Sequence, residues 1–173
     1  MGKLSLYRLY RDQMDGGDLV EWSSATLVGG TIRLFTGKPV NHSSILLNLD
    51  HYSGLKHRRF VLEALEHGVV LNLLSMRLED FKGKVYWSQL KPEYNDRRDR
   101  MAAWALERVG TAYDYQTLIA NIFGEISSDA KKFICSELYF KDLVAAGIVP
   151  PGPDPRPGEF ARYNVHRPPI RIL

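Results

Sequence analysis

The sequence predicts an α+β fold, with a central antiparallel sheet flanked by helices. Three observations lead there. Strand-like apolar segments cluster in the middle of the chain, at 43–49, 60–65, 69–74 and 84–90. Two of them, 60–65 and 69–74, are joined by the turn Glu66-His67-Gly68 and read as an antiparallel hairpin. Segments with helical spacing lie before and after this block. The chain has 173 residues, so one domain spanning 1–173 is expected. A chain of this length buries roughly 70 % of its unfolded surface and needs no staple to fold.

The elements follow in order. Residues 18–22 come after Gly16-Gly17 and read as a short strand. Ser23 or Ser24 offers an N-cap oxygen. Val28, Ile32 and Phe35 recur at i, i+4, i+7, and Gly37 stands where a C′ glycine belongs, which predicts a helix near 24–36. The strands at 43–49, 60–65 and 69–74 come next, the second apolar except for Glu63. A short helix is expected at 76–81. Residues 84–90 alternate Val85 and Trp87 with Tyr86 and Ser88, a strand pattern. Asn95 or Asp96 caps a helix whose stripe is Ala102, Ala105, Leu106 and Val109, closed by Gly110. Asp96-Arg97-Arg98-Asp99-Arg100 reads as its solvated first turns. A helix near 114–123 follows.

Cys135 lies in another helix, with Phe140, Leu143 and Val144 as its buried stripe and Gly147 as its stop. Its start has two readings. Ser127 or Ser128 caps it, with Cys135 in the second turn, or it begins near Ile134, with Cys135 in the first. The stretch 150–158 holds five prolines and cannot be regular, so 150–173 is expected to be a Pro-rich surface strap. Its last part, 166–173, can add an edge strand.

Composition excludes several classes. With 45 % hydrophobic and 25 % charged residues the chain is an ordinary globular protein, neither disordered nor collagen-like. A net charge of +3 is too small to argue for nucleic acid. The single cysteine permits neither an internal disulfide nor a Cys-rich zinc site. No His pair has helix-face metal spacing, and Gly29-Gly30 opens no phosphate loop, so no metal or cofactor is expected. The first residues lack a secretory apolar run, and no segment reaches the ~18 apolar residues of a membrane span. Residue 6 is leucine, which spoils a myristoylation match. A cytoplasmic location is expected.

Chemistry concentrates at Cys135. The run Phe133-Ile134-Cys135-Ser136-Glu137-Leu138 carries the thiol from an apolar segment into a helix. Near a helix N-terminus, backbone N–H groups favour thiolate over thiol and can hold an oxyanion. A cysteine nucleophile needs a base. His57 stands beside Arg58 and Arg59, His51 and His67 lie in turns, and His166 is in the tail. His42 opens an apolar strand, where an imidazole can be held rigid. Glu63 is flanked by two apolar residues on each side and is expected to be partly buried. A buried carboxylate needs a partner. An arginine would make it structural, whereas His42 on the neighbouring strand would make it the orienter of a triad.

Five short motifs in order carry a resemblance. They are Gly17-Asp18-Leu19-Val20, Asn41-His42-Ser43-Ser44-Ile45, Val61-Leu62-Glu63-Ala64, Gly110-Thr111-Ala112-Tyr113-Asp114 and Ile134-Cys135-Ser136-Glu137-Leu138. Together they resemble the circularly permuted NlpC-type papain-fold cysteine hydrolases, the YiiX/YaeF-like group, from about residue 16 to 147. The resemblance implies a permuted papain-like fold with the cysteine last. It implies Cys135 as nucleophile, His42 as base, Glu63 as orienter and Tyr113 in the substrate cleft. It favours the shorter helix starting near Cys135. Many relatives act in the envelope, and here Asn41 precedes the histidine where the family often has serine. The substrate implied is a peptide, an amino-acid amide or a lipid-like acyl compound.

The leading expectation is thus a Cys-His-Glu hydrolase cleaving an amide or ester through an acyl-enzyme. A second is acyl transfer to a lipid or amine, as in the lecithin-retinol-acyltransferase-like group, which usually has histidine where Glu63 lies. A third is a non-catalytic binding or structural module on the same fold. The oligomeric state is not readable from the sequence.

Overall fold

Alternating side chains in the middle of the chain form the sheet. In the computed structural model, which describes residues 2–24, 40–65, 67–111 and 130–173, the strands are β1 (Leu19–Ser24), β2 (His42–Leu47), β3 (Phe60–Leu65), β4 (Gly68–Leu73), β5 (Gly83–Ser88) and β6 (Ile170–Arg171). Their order is β4-β3-β2-β1-β5-β6, every described pairing being antiparallel. The helices are α1 (Ser5–Tyr10), α2 (Leu74–Asp80), α3 (Arg98–Leu106) and α4 (Ala130–Ala145). The α+β class and the antiparallel sheet match the expectation. The helices expected near 24–36 and 114–123 lie outside the described residues.

Side-chain parity splits the core into two layers. Leu19, Ile45, Leu47, Leu62 and Ala64 pack on one face against Leu138, Tyr139 and Leu143 of α4 and Met101 and Ala105 of α3. Val20, Trp22, Leu46, Val61, Val85 and Trp87 pack on the other against Tyr7 of α1 and Leu74 and Leu78 of α2. The hairpin β3–β4 forms as expected, with Gly68 at φ 110° after the turn. The two-residue strand β6 edges the sheet beside β5, and the chain end buries Ile172 and Leu173 in the second layer.

The Gly-Asp-Leu-Val run is a structural joint. Gly17 takes φ 83°, which a side chain would resist, and this brings Asp18 into the core. Asp18 is fully buried and accepts from the Trp87 indole (2.7 Å), the Leu90 N–H (3.0 Å) and Arg98 Nη1 (2.8 Å). Burial pushes its carboxyl above the usual range, and Arg98 opposes that shift. This corrects the reading of 96–100 as wholly solvated: Arg98 is buried and also donates to the carbonyls of Gly16 and Leu90. The reason is Asp18 itself, whose desolvated charge requires a cation.

Two other differences have local causes. Helix α1 has no counterpart among the expected elements, and it forms by burying Leu4 and Tyr7 against the second layer. His166 is no loose tail residue. It bridges Leu90, and its Nε2 lies 2.6 Å from the Tyr139 hydroxyl. Among the described residues no helix is long and apolar enough to cross a membrane.

Candidate active site

His42 is the first residue of β2, opposite Trp22 of β1. The β2–β3 register pairs Ile45 with Leu62, so continuing it places Glu63 diagonal to His42 on the same face. A long side chain spans that diagonal. His42 Nε2 lies 2.8 Å from Glu63 Oε2, with the imidazole 18 % exposed and the carboxylate 0 %. The burial expected for Glu63 is therefore complete. Both partners weighed from the sequence are present, since Glu63 meets histidine and arginine together. Its Oε1 accepts from Asn72 Nδ2 and Arg77 Nε, each at 3.0 Å, and Arg77 Nη2 lies 3.5 Å from Oε2.

Cys135 is buried on α4, which packs over β2 and β3. Its side chain is hydrogen-bonded to the His42 side chain. The contact is possible because His42 sits where the strand begins, at the end of the sheet. Glu63 occupies Nε2, which leaves Nδ1 to face sulfur. The structure thus brings three of the sequence-predicted residues, Cys135, His42 and Glu63, into one hydrogen-bonded chain. Tyr113 lies outside the described residues.

The helix agrees with the longer of the two readings, which puts Cys135 beyond the first turn, and corrects the shorter one. Helix α4 already runs through Ala130, Lys131 and Lys132, strong helix formers, so it does not begin near Ile134. Cys135 is its sixth described residue, and its N–H belongs to the helical ladder. The oxyanion and thiolate roles expected of first-turn N–H groups at Cys135 therefore fall away, because the terminal field fades within one turn. The charge beside the sulfur comes from His42 instead.

Electrostatics make the chain ionic. Burial is the largest single influence on His42 and lowers it. The charge and hydrogen bond of Cys135, with those of Glu63, outweigh burial and raise it to about 10. Burial pushes Glu63 up, but His42, Arg77 and Asn72 bring it down to about 2. At neutral pH the imidazole is charged and Glu63 is a carboxylate.

Sequence reasoning missed Arg77, Asn72 and Trp22. The Arg77 guanidinium lies 5.1 Å from the Trp22 ring centre and 5.9 Å from that of Phe81. Trp22 in turn stands 6.4 Å from the imidazole and donates to Ser44 Oγ at 2.8 Å. Asn72 carried a signal, as a polar residue in an apolar strand. Arg77 carried none, since nothing in a short helix aims one side chain at β3.

A separate cavity of about 580 Å³ lies under the strap, lined by Leu19, Glu21, Ser88, Phe160, His166 and Pro168 among others, none of them from the Cys135 chain. Glu21 accepts the Gly158 N–H at 2.9 Å, and burial pushes its carboxyl up to about 7. Burial, aided by Arg98 and Lys91, lowers His166 to about 4.

No family model matches the sequence, and no curated protein matches it. Among solved structures it is similar to the metalloprotein yiiX from Escherichia coli O157:H7, DUF1105. The two are 22 % identical, the match covers 78 % of this chain and 67 % of that one, and the TM-score is 0.57. A likeness at that identity concerns the fold alone, here a YiiX-like α+β arrangement. The word metalloprotein belongs to that neighbour, and the residues of this chain can be tested against it. Among the described residues no three His, Cys, Asp or Glu are grouped to hold a metal ion, and both Glu63 oxygens are already engaged. The donor set at Cys135 therefore does not fit a metal.

Proposed function

We propose that this chain is a cysteine hydrolase that cleaves an amide or ester bond through an acyl-enzyme on Cys135, on a circularly permuted papain-like fold spanning 1–173. The observation that carries this reading is His42, hydrogen-bonded to Glu63 on one side and Cys135 on the other. A cationic imidazole beside a sulfur favours a reactive thiolate. Sulfur adds to the substrate carbonyl, forming a C–S bond. The C–N or C–O bond to the leaving group breaks, and His42 gives that group its proton. Water then adds to the thioester and passes a proton to His42. The C–S bond breaks, a carboxylic acid leaves, and the thiolate–imidazolium pair returns. Glu63 holds the ring and keeps the Nε2 proton in place throughout.

The substrate class in this reading is a peptide, an amino-acid amide or a lipid-like acyl compound, with Tyr113 in the cleft. The test is turnover of an amide, ester and thioester panel with intact-mass detection of the acylated protein. A covalent adduct on Cys135 that water clears, abolished in Cys135→Ala, is the expected result. Full turnover by Cys135→Ala ends the proposal, and clearance only by added amine or lipid alcohol replaces hydrolysis with acyl transfer.

A further inference from the structure

We propose that Arg77 is a positioning residue that holds Glu63 as a carboxylate through the part of the cycle in which His42 is uncharged. The proposal rests on the hydrolase reading and adds a role which that reading lacks. Once His42 has given its proton to the leaving group, Glu63 faces a neutral ring. The carboxylate is fully buried, and a buried charge that loses its partner tends to take up a proton. A protonated Glu63 would no longer be a pure acceptor for the Nε2 hydrogen, and Nδ1 could then no longer be relied on as the base for water.

The groups facing Glu63 among the described residues are few. They are His42 from β2, Asn72 from β4 and Arg77 from α2, with Cys135 beyond His42. Its neighbours along its own strand, Val61, Leu62, Ala64 and Leu65, are apolar. Asn72 is neutral. Arg77 is therefore the permanent cation in this set, since a guanidinium keeps its charge at any working pH. It is also well held. Two of its nitrogens address the carboxylate, at 3.0 and 3.5 Å, and its guanidinium lies near the Trp22 and Phe81 rings, which meet edge to face at 5.0 Å. The same Trp22 ring neighbours the imidazole, so one aromatic wall adjoins both charged partners of Glu63.

The experiment reads the Glu63 carboxyl by ¹³C NMR in the full chain, with Glu63→Gln to assign the signal. His42→Gln stands in for the uncharged ring, because it keeps an N–H donor without charge. Glu63 is expected to remain ionised at pH 7 in His42→Gln. In His42→Gln/Arg77→Gln its midpoint should rise by about 1–3 units. Arg77→Lys in the same background should restore much of the shift, which a merely structural role would not produce. Superimposable titrations with and without Arg77 overturn the proposal, as does a Glu63 that is already protonated at pH 7 in His42→Gln. Should the double variant fail to fold, Arg77→Gln alone is read through the pH dependence of urea unfolding. The acid loss of stability due to Glu63 should then be smaller and end at higher pH than in the wild type, and an unmoved acid limb overturns the proposal. None of these readouts uses cysteine chemistry, so failure of the hydrolase reading is told apart by Cys135→Ala turnover.

Discussion

His42 links a buried carboxylate to a buried thiol, and its charge decides what each can do. Glu63→Gln keeps the shape and removes the negative charge. It is expected to lower the rate of Cys135 acylation by about 10²–10⁴-fold, the range for a lost acid–base partner, measured as pre-steady-state adduct formation. The same three residues are legible in the sequence because each is chemically out of place: an acid inside an apolar strand, a histidine opening one, and a cysteine in a helix. The residues that hold them are not legible. Arg77 and Trp22 reach the site through tertiary packing of α2 on β1, which leaves no local pattern.

At the scale of elements, Asp18 ties the start of β1 to Trp87 of β5, Leu90 and Arg98 of α3. Arg98→Met leaves Asp18 buried beside fewer donors. It should destabilise the protein by about 3–5 kcal/mol, the usual cost of breaking one side of a buried pair, measured by urea unfolding. A loss below about 1 kcal/mol would show that Asp18 is protonated or finds water. Strands β1 to β5 are legible from alternation to within two residues. β5 stops at Ser88 because its pairing with β1 ends there and Leu90 leaves the strand to bridge His166, and the edge strand expected at 166–173 shrinks to Ile170–Arg171. Of the two starts read for α4, the longer helix with Cys135 beyond its first turn agrees with the structure, and the short helix favoured by the resemblance does not, because Ala130, Lys131 and Lys132 carry the ladder further back. Arg98 reads as solvated in the sequence because its charge run looks like a surface turn, and only Asp18 explains its burial.

For the whole molecule, pH dependence sums the buried groups. His42 is raised to about 10, so its stabilisation is present below its ordinary value near 6.5 and fades as pH climbs through 10. Glu63 is lowered to about 2, so its contribution is present above its ordinary value and fades as pH falls toward 2. Glu21, raised to about 7, loses its extra proton and weakens the fold as pH rises from about 4.5 through 7. His166, lowered to about 4, weakens the fold as pH falls from about 6.5 through 4. The last two oppose one another between those limits. Burial also raises the carboxyls of Asp18 and Asp142, which weaken the fold as pH rises past 3.8, so the urea midpoint is expected to be highest at about pH 4–5 and to fall on both sides. Glu21→Gln should flatten the decline toward pH 7. A midpoint that rises steadily from pH 6 to 10 contradicts the charge assignments. The antiparallel sheet with flanking helices is readable as a class, and the two-layered core is not, because α1 and the strap close it from distant parts of the chain.

The central claim is that Cys135 and His42 form a working pair. The most direct measurement is the rate of iodoacetamide alkylation of Cys135 against pH, for the wild type and His42→Ala, with folding checked by circular dichroism. The account predicts fast alkylation that persists well below the free-thiol midpoint of ~8.5 and is lost in His42→Ala. Slow alkylation with an ordinary thiol profile in both proteins would contradict it.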